Sequence, residues 1–223
     1  MSRHAVSALS ATVALTALAC TEPVAPFDGV HDFAFRVAIA DTVRSAVVHV
    51  PPSYDGSHAY PLVLAFHGAG GNADEMRAST GLDGPADSLG FVVAYMQGAR
   101  DWDLVGPKDL NFTLGLIEAL ARRLNLDRDR VYATGFSRGG SFTMRLACET
   151  APSFTAVGIV ASTMYADVAS ACRPRARIAT ALVVGTVDLV VPIDGDSTAG
   201  RLSATPPSIC SRAATAATSP RSW

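Results

Sequence analysis

Ser137 stands at the centre of Gly135-Phe136-Ser137-Arg138-Gly139, preceded by the apolar, β-prone run Val131 to Thr134. A serine between two close glycines, at the junction of a strand and a helix, has the makings of a nucleophile lifted above a sheet on a sharp turn. The glycines suit backbone that approaches too closely for a Cβ. The helix N-terminus then offers unpaired N–H groups to a developing oxyanion. A tight turn with a capping serine is the plainer reading of the same residues. Two further strand ends carry polar chemistry. Pro61 to Phe66 runs into His67-Gly68-Ala69-Gly70-Gly71, where the backbone N–H of Ala69 or Gly70 could join that of Arg138 in an oxyanion hole. No G-K-[ST] follows this loop, which argues against a phosphate cradle. His67 reads as a loop brace rather than a base. Ala181 to Gly185 runs into Thr186-Val187-Asp188, and Asp188 is the candidate acid, ahead of Asp194 and Asp196.

The elements needed to position these groups are legible in order. Phe33 to Ile39 and Val43 to Val50 read as an antiparallel pair around Asp41-Thr42. Pro61 to Phe66 and Phe91 to Tyr95 are continuous apolar runs, as expected of strands buried on both faces. Helices are expected over Ala73 to Ser79 and Gly84 to Leu89, and from Asp109, where Leu110, Leu114, Ile117, Ala121 and Leu124 share one face. Asp109 is expected to cap that helix or favour its positive end. A helix from about Ser141 to Glu149 follows the serine turn, and Ala156 to Ala161 is a further strand. Strands alternating with helices give an α/β fold, a mostly parallel sheet covered on both faces, with functional groups beyond the carboxyl ends of the strands.

The chain has 223 residues and a formal charge of −2, which suits one α/β domain and gives no electrostatic reason to expect a nucleic-acid partner. Residues 1–20 read as a signal peptide. A short basic start at Arg3 and His4 precedes an uncharged, small-residue run from Ala5 to Ala19 that ends in an A-x-A pattern. Cys20 directly after it is a lipidation candidate, so free secretion and a cell-envelope lipoprotein both stand open. Membrane contact is expected only through that lipid. Residues 21–32 read as a linker. Export permits disulfides, and Cys148 with Cys172 is the preferred pair. It would tie the helix after Ser137 to the loop before the next strand.

On these segments the chain resembles the polyhydroxybutyrate depolymerase and feruloyl esterase group of secreted α/β-hydrolases. The matching stretches are Leu62–Asn72, Gly90–Tyr95, Asp127–Glu149 and Gly185–Gly195, within about residues 45–196. The resemblance implies an α/β-hydrolase fold, Ser137 as nucleophile and Asp188 as acid. It implies carboxylic-ester substrates, either hydroxycinnamoyl esters on polysaccharide or short polyesters. No metal or other cofactor is implied. Arg138 stands where the family commonly has asparagine, which puts a long cation near the site.

One member of the expected triad is missing. The five histidines are His4, His31, His49, His58 and His67, all before Ser137, whereas this fold carries its base after the acid. Residues 197–223 contain no Asp or Glu and few large apolar side chains. They read as an atypical, poorly ordered tail, and the hydrolase domain is expected over 33–196. The last strand and histidine loop of the fold are expected to be missing, through a truncated or frame-shifted ending. The reading is therefore a serine esterase impaired by its absent base. The alternative is a catalytically incompetent binding or vestigial protein.

Overall fold

A computed structural model describes residues 27–173 and 176–204. The signal-peptide and Cys20 readings lie outside the described residues, as does the tail beyond Ala204. Seven strands form one sheet: β1 (Asp32–Ile39), β2 (Thr42–His49), β3 (Tyr60–Phe66), β4 (Val92–Met96), β5 (Leu126–Phe136), β6 (Ala156–Val160) and β7 (Ala179–Val183). Their order is β1-β2-β4-β3-β5-β6-β7. β1 and β2 pair antiparallel, β2 meets β4 antiparallel, and every other neighbouring pair is parallel. The described residues also hold five α-helices, α1 (Ala73–Thr80), α2 (Asp83–Leu89), α3 (Lys108–Ala121), α4 (Arg138–Glu149) and α5 (Ala166–Ala171), and a 3-10 turn at Ala151–Ser153.

The strand period sorts side chains to two faces. Leu62, Leu64 and Phe66 of β3 join Val92, Ala94 and Met96 of β4 in a large core that includes Phe112, Leu116 and Leu120 of α3 and Phe142 and Leu146 of α4. Ala65, Val93 and Tyr95 face the other way, onto Ala73 and Met76 of α1 and Ala86 of α2. Each fully buried Leu or Phe contributes roughly 1.5–3 kcal/mol relative to exposure. Both faces of the central strands are thus covered, which explains why they read as unbroken apolar runs.

Three local expectations need correction. α3 buries more than the expected stripe: Leu110, Ile117 and Leu124 are buried as expected and Leu114 only half so, but Phe112, Leu116 and Leu120 are wholly inside as well. It packs against the sheet and also touches β1, so its buried arc is wider than one face. Asp109 makes no capping hydrogen bond, although it does stand in the first turn, at the positive end of the helix as the other arm of the expectation has it. Its carboxylate, 3% exposed, pairs with Arg44 at 2.7 Å and accepts the Asp103 amide at 2.7 Å. α4 begins at Arg138 rather than Ser141, because the Ser141 amide already donates to the Ser137 carbonyl at 3.1 Å.

The segment before β1 packs on the domain: Phe27 meets the Tyr54 ring, and Asp28 pairs with Arg123 at 2.8 Å. Residues 197–204 are also bonded to it. Ala166 donates to Gly200, Leu202 to Met164 and Ala204 to Ile193. Among the described residues β7 is an edge strand, and Val183, Val187, Leu189 and Val190 around and beyond its end are well exposed.

Candidate functional site

The serine turn is built by contact, not by propensity. Ser137 has φ 52° and ψ −118°, a backbone that residues with a Cβ rarely adopt. A Cβ on Gly135 would lie 2.2 Å from the Gly139 carbonyl oxygen, and a Cβ on Gly139 would lie 2.2 Å from that of Phe66. Both glycines are therefore required by close backbone approach. The turn is pinned to β6 by the Ser137 amide, which donates to the Val160 carbonyl at 2.9 Å. The side chain is half-buried and open to solvent.

The loop after β3 lies against this turn. A Cβ on Gly68 would sit 3.6 Å from the Ser137 Cβ and 3.2 Å from the Phe136 ring. Of the loop amides, Gly70 donates to the Arg100 carbonyl and Gly71 to the Gly68 carbonyl, each at 3.1 Å. The Ala69 amide has no acceptor among the described residues. The same holds for Arg138, the first residue of α4, as expected at a helix start. Of the two loop donors considered, the geometry leaves Ala69 available and commits Gly70 to the loop itself.

His67 is a brace. It is 2% exposed, and its Nε2 accepts the Gly98 amide at 3.0 Å. Its Nδ1 therefore carries the proton and donates to the Gly68 carbonyl at 2.7 Å. Both nitrogens are occupied, so this ring has no lone pair to offer Ser137. Trp102 completes the support: its Nε1–H donates to the His67 carbonyl at 2.8 Å, and its ring stacks on Phe142 of α4. The other described histidines lie elsewhere. His31 bonds the Val50 carbonyl, His49 sits between Asp32 and Asp87, and His58 is exposed beside Tyr60. No free imidazole faces Ser137 among the described residues.

Asp188 follows β7, two strands from β5 in the sheet. Strands about 4.8 Å apart put these axes roughly 10 Å from one another, a gap that an imidazole would have to bridge. Its Oδ1 accepts the Val190 and Val191 amides at 2.8 and 2.9 Å. These two bonds hold its pKa below the ordinary aspartate value, helped by the charge of Arg201, so it stays ionised near neutrality.

Further residues frame the site without having been singled out by motif. Arg145, 3% exposed inside α4, donates to the carbonyls of Asp103, Val105 and Gly106 and to the Glu149 carboxylate. It fixes the loop that carries Trp102. Its only sequence signal is an arginine among the apolar positions of a helix. Ser141 and Ser162, both buried, share a 2.8 Å hydrogen bond that joins α4 to the loop after β6. Cys148 and Cys172 form a disulfide from α4 to the end of α5. Arg138 pairs with Asp101 at 3.1 Å and lies over Tyr165.

Residues 44–181 match the family described as Esterase PHB depolymerase. The chain belongs to that family. NocK of Nocardia uniformis subsp. tsuyamanensis, named as an esterase, is 33% identical over 175 residues, 74% of this chain and 51% of NocK. Feruloyl esterase C of Emericella nidulans is 29% identical over 161 residues, 70% of this chain and 58% of that protein. The chain thus spans between half and three-fifths of these two relatives. Among solved structures, a thermostable esterase superposes with a TM-score of 0.59 at 21% identity, covering 74% of this chain and 49% of that one. At that identity the likeness speaks to fold alone, and the fold is the α/β-hydrolase fold.

Proposed function

We propose that the chain is a carboxylic-ester hydrolase that works through an acyl-enzyme on Ser137. The observation that carries this is the approach of the Gly68 turn to Ser137, with the Ala69 and Arg138 amides both lacking acceptors among the described residues. The Ser137 hydroxyl would attack the ester carbonyl carbon and pass its proton to a base. The carbonyl oxygen, now negative, would be held by the two amides. Collapse would expel the alcohol, protonated by the same base, and water would then release the acid from the serine by the reverse sequence. Asp188 would orient the base and stabilise its charged form. None of the five histidines follows Asp188, and His31, His49, His58 and His67 are otherwise placed, so the hydrolase is read as impaired by the lack of a base. Substrates are hydroxycinnamoyl esters of polysaccharides or polyhydroxyalkanoate-type polyesters, as the names of the relatives suggest. Export by residues 1–20, with or without a lipid on Cys20, fits that setting. Among the described residues no helix is long and apolar enough to cross a membrane.

A second reading has one observation in its favour. The same missing imidazole suits a protein that binds esters without turning them over. Stoichiometric reaction with a serine-directed fluorophosphonate, lost in Ser137→Ala, together with turnover of a 4-nitrophenyl acetate substrate, supports the hydrolase. Turnover indifferent to Ser137→Ala rejects it. Binding of an ester without either reaction supports the alternative.

A further inference from the structure

One guanidinium near the serine turn has no ion pair among the described residues. Tyr165, in the loop after β6, carries two arginines on its ring: the Cζ of Arg138 is 5.3 Å from the centroid and that of Arg201 is 4.5 Å. Arg138 directly follows Ser137. Arg201 comes from the loop that starts at Asp188, and its backbone is held firmly. It exchanges hydrogen bonds with Asp196 at 2.7 and 3.0 Å and forms a bridge with Tyr165. Gly200 and Leu202 on either side bond Ala166 and Met164.

The two arginines differ in how their charge is met. Arg138 has Asp101 at 3.1 Å. Arg201 forms no ion pair among the described residues. Asp188 and Asp196 feel its charge but accept no hydrogen bond from it: Asp188 accepts from the Val190 and Val191 amides, Asp196 from those of Thr198 and Ala199. The Nη1 of Arg201 is shut from solvent and has no hydrogen-bond acceptor among the described residues. A buried charged donor without an acceptor is costly, and a carboxylate is the group that best relieves a guanidinium. Stacking on Tyr165 holds the planar fork in one orientation, which suits a fixed bidentate contact.

We propose that Arg201, held on Tyr165 beside Arg138, is a carboxylate-binding subsite next to Ser137, and that the ester accepted there carries a free carboxylate. A hemi-ester of a dicarboxylic acid has that chemistry, and so does an ester bearing a uronate. As a statement about substrate, this rests on Ser137 being the nucleophile. As a statement about binding, it does not.

Calorimetric titration of the purified chain with glutarate, and with glutaramide as its neutral counterpart, separates the two. Glutarate binds saturably and glutaramide does not. Added sodium chloride weakens the binding, Arg201→Gln weakens it about tenfold, and Arg201→Lys, which keeps the charge but not the fork, recovers only part of it. Ser137→Ala leaves glutarate binding in place. In a parallel kinetic arm, the ratio of kcat/KM for 4-nitrophenyl hemiglutarate over 4-nitrophenyl pentanoate falls about tenfold in Arg201→Gln. Equal binding of glutarate and glutaramide overturns the subsite, and so does a glutarate affinity unchanged in both Arg201 variants. If Arg201→Gln fails to fold, the wild-type comparison of the two ligands and the Arg201→Lys variant decide. Loss of the Ser137 dependence of turnover, with glutarate binding intact, removes the esterase reading and leaves the subsite standing.

Discussion

Replacing Ser137 by glycine should stabilise the protein while removing its chemistry. The backbone at Ser137, φ 52° and ψ −118°, is one that glycine adopts freely and serine does not. Holding a residue with a Cβ there costs about 1–3 kcal/mol. Glycine brings its own entropic cost of roughly 0.5–1 kcal/mol from the unfolded chain. The difference leaves a gain of about 1 kcal/mol for Ser137→Gly. Ser137→Ala is the control, because it removes the same hydroxyl but keeps the Cβ and so keeps the strain. Urea unfolding of the two variants compares like with like, since neither can react with a fluorophosphonate. A difference of about 1 kcal/mol corresponds to roughly 2–4 °C in Tm for a domain of this size. If Ser137→Gly is no more stable than Ser137→Ala, the turn is not strained at this residue, and the argument from backbone geometry to a raised nucleophile fails.

Other consequences follow from named contacts. Ala69→Pro removes the proposed oxyanion donor and should slow fluorophosphonate labelling by on the order of a hundredfold; Glu75→Gln, in the first turn of α1, serves as the control and should label at the wild-type rate. His49 has both ring nitrogens on carboxylates, Asp32 at 3.0 Å and Asp87 at 2.8 Å. Burial opposes its charge, but the bonds to Asp32 and Asp87 outweigh burial and raise its pKa above the ordinary value of 6.5. Folding therefore favours the protonated form. That contribution is complete below the unfolded pKa and is lost as pH rises through the folded one. Melting temperature should thus fall above about pH 6.5, and His49→Gln should flatten the decline. The disulfide closes a loop of sequence separation 24. Cys148→Ser with Cys172→Ser should cost about 3 kcal/mol in unfolding experiments, provided the wild-type chain is purified oxidised.

The legible parts of this fold were those in which local and tertiary forces agree. A β-prone run, two glycines and a helix predicted the serine turn, and the structure has each of them in place. β3 and β4 were readable because strands covered on both faces need an unbroken apolar sequence. The disulfide pair was readable from its position between a helix and the next loop. Where the two levels diverge, sequence alone misleads. Asp109 has a good helix-start composition, but its charge is used across the fold by Arg44, some 65 positions earlier in the chain. Local rules cannot see such a partner. Arg145 is the same lesson inverted, a charge in a helix core held by three loop carbonyls. The short α5 lacks any periodic stripe long enough to announce it.

The loop after β3 shows most directly why the candidate site needed coordinates. Sequence offers Ala69 or Gly70 as the candidate donor, because both follow the strand whose end is expected beside Ser137. The choice is made by the loop of residues 97–102, which no motif connects to the β3 end. Arg100 offers its carbonyl to Gly70, Gly98 offers its amide to His67, and Trp102 donates to the His67 carbonyl. Those three contacts take up the hydrogen-bonding groups around the turn, and among the described residues the Ala69 amide is left without an acceptor. They also fix the His67 tautomer and remove it as a base. A single neighbouring loop thus decides both which amide is available to an oxyanion and which histidine is not available to a proton. Trp102→Phe is the change that tests this dependence: it keeps the ring on Phe142 but frees the His67 carbonyl, and fluorophosphonate labelling of Ser137 should slow even though Trp102 touches no reacting atom. Labelling at the wild-type rate would mean that the turn holds its shape without this support.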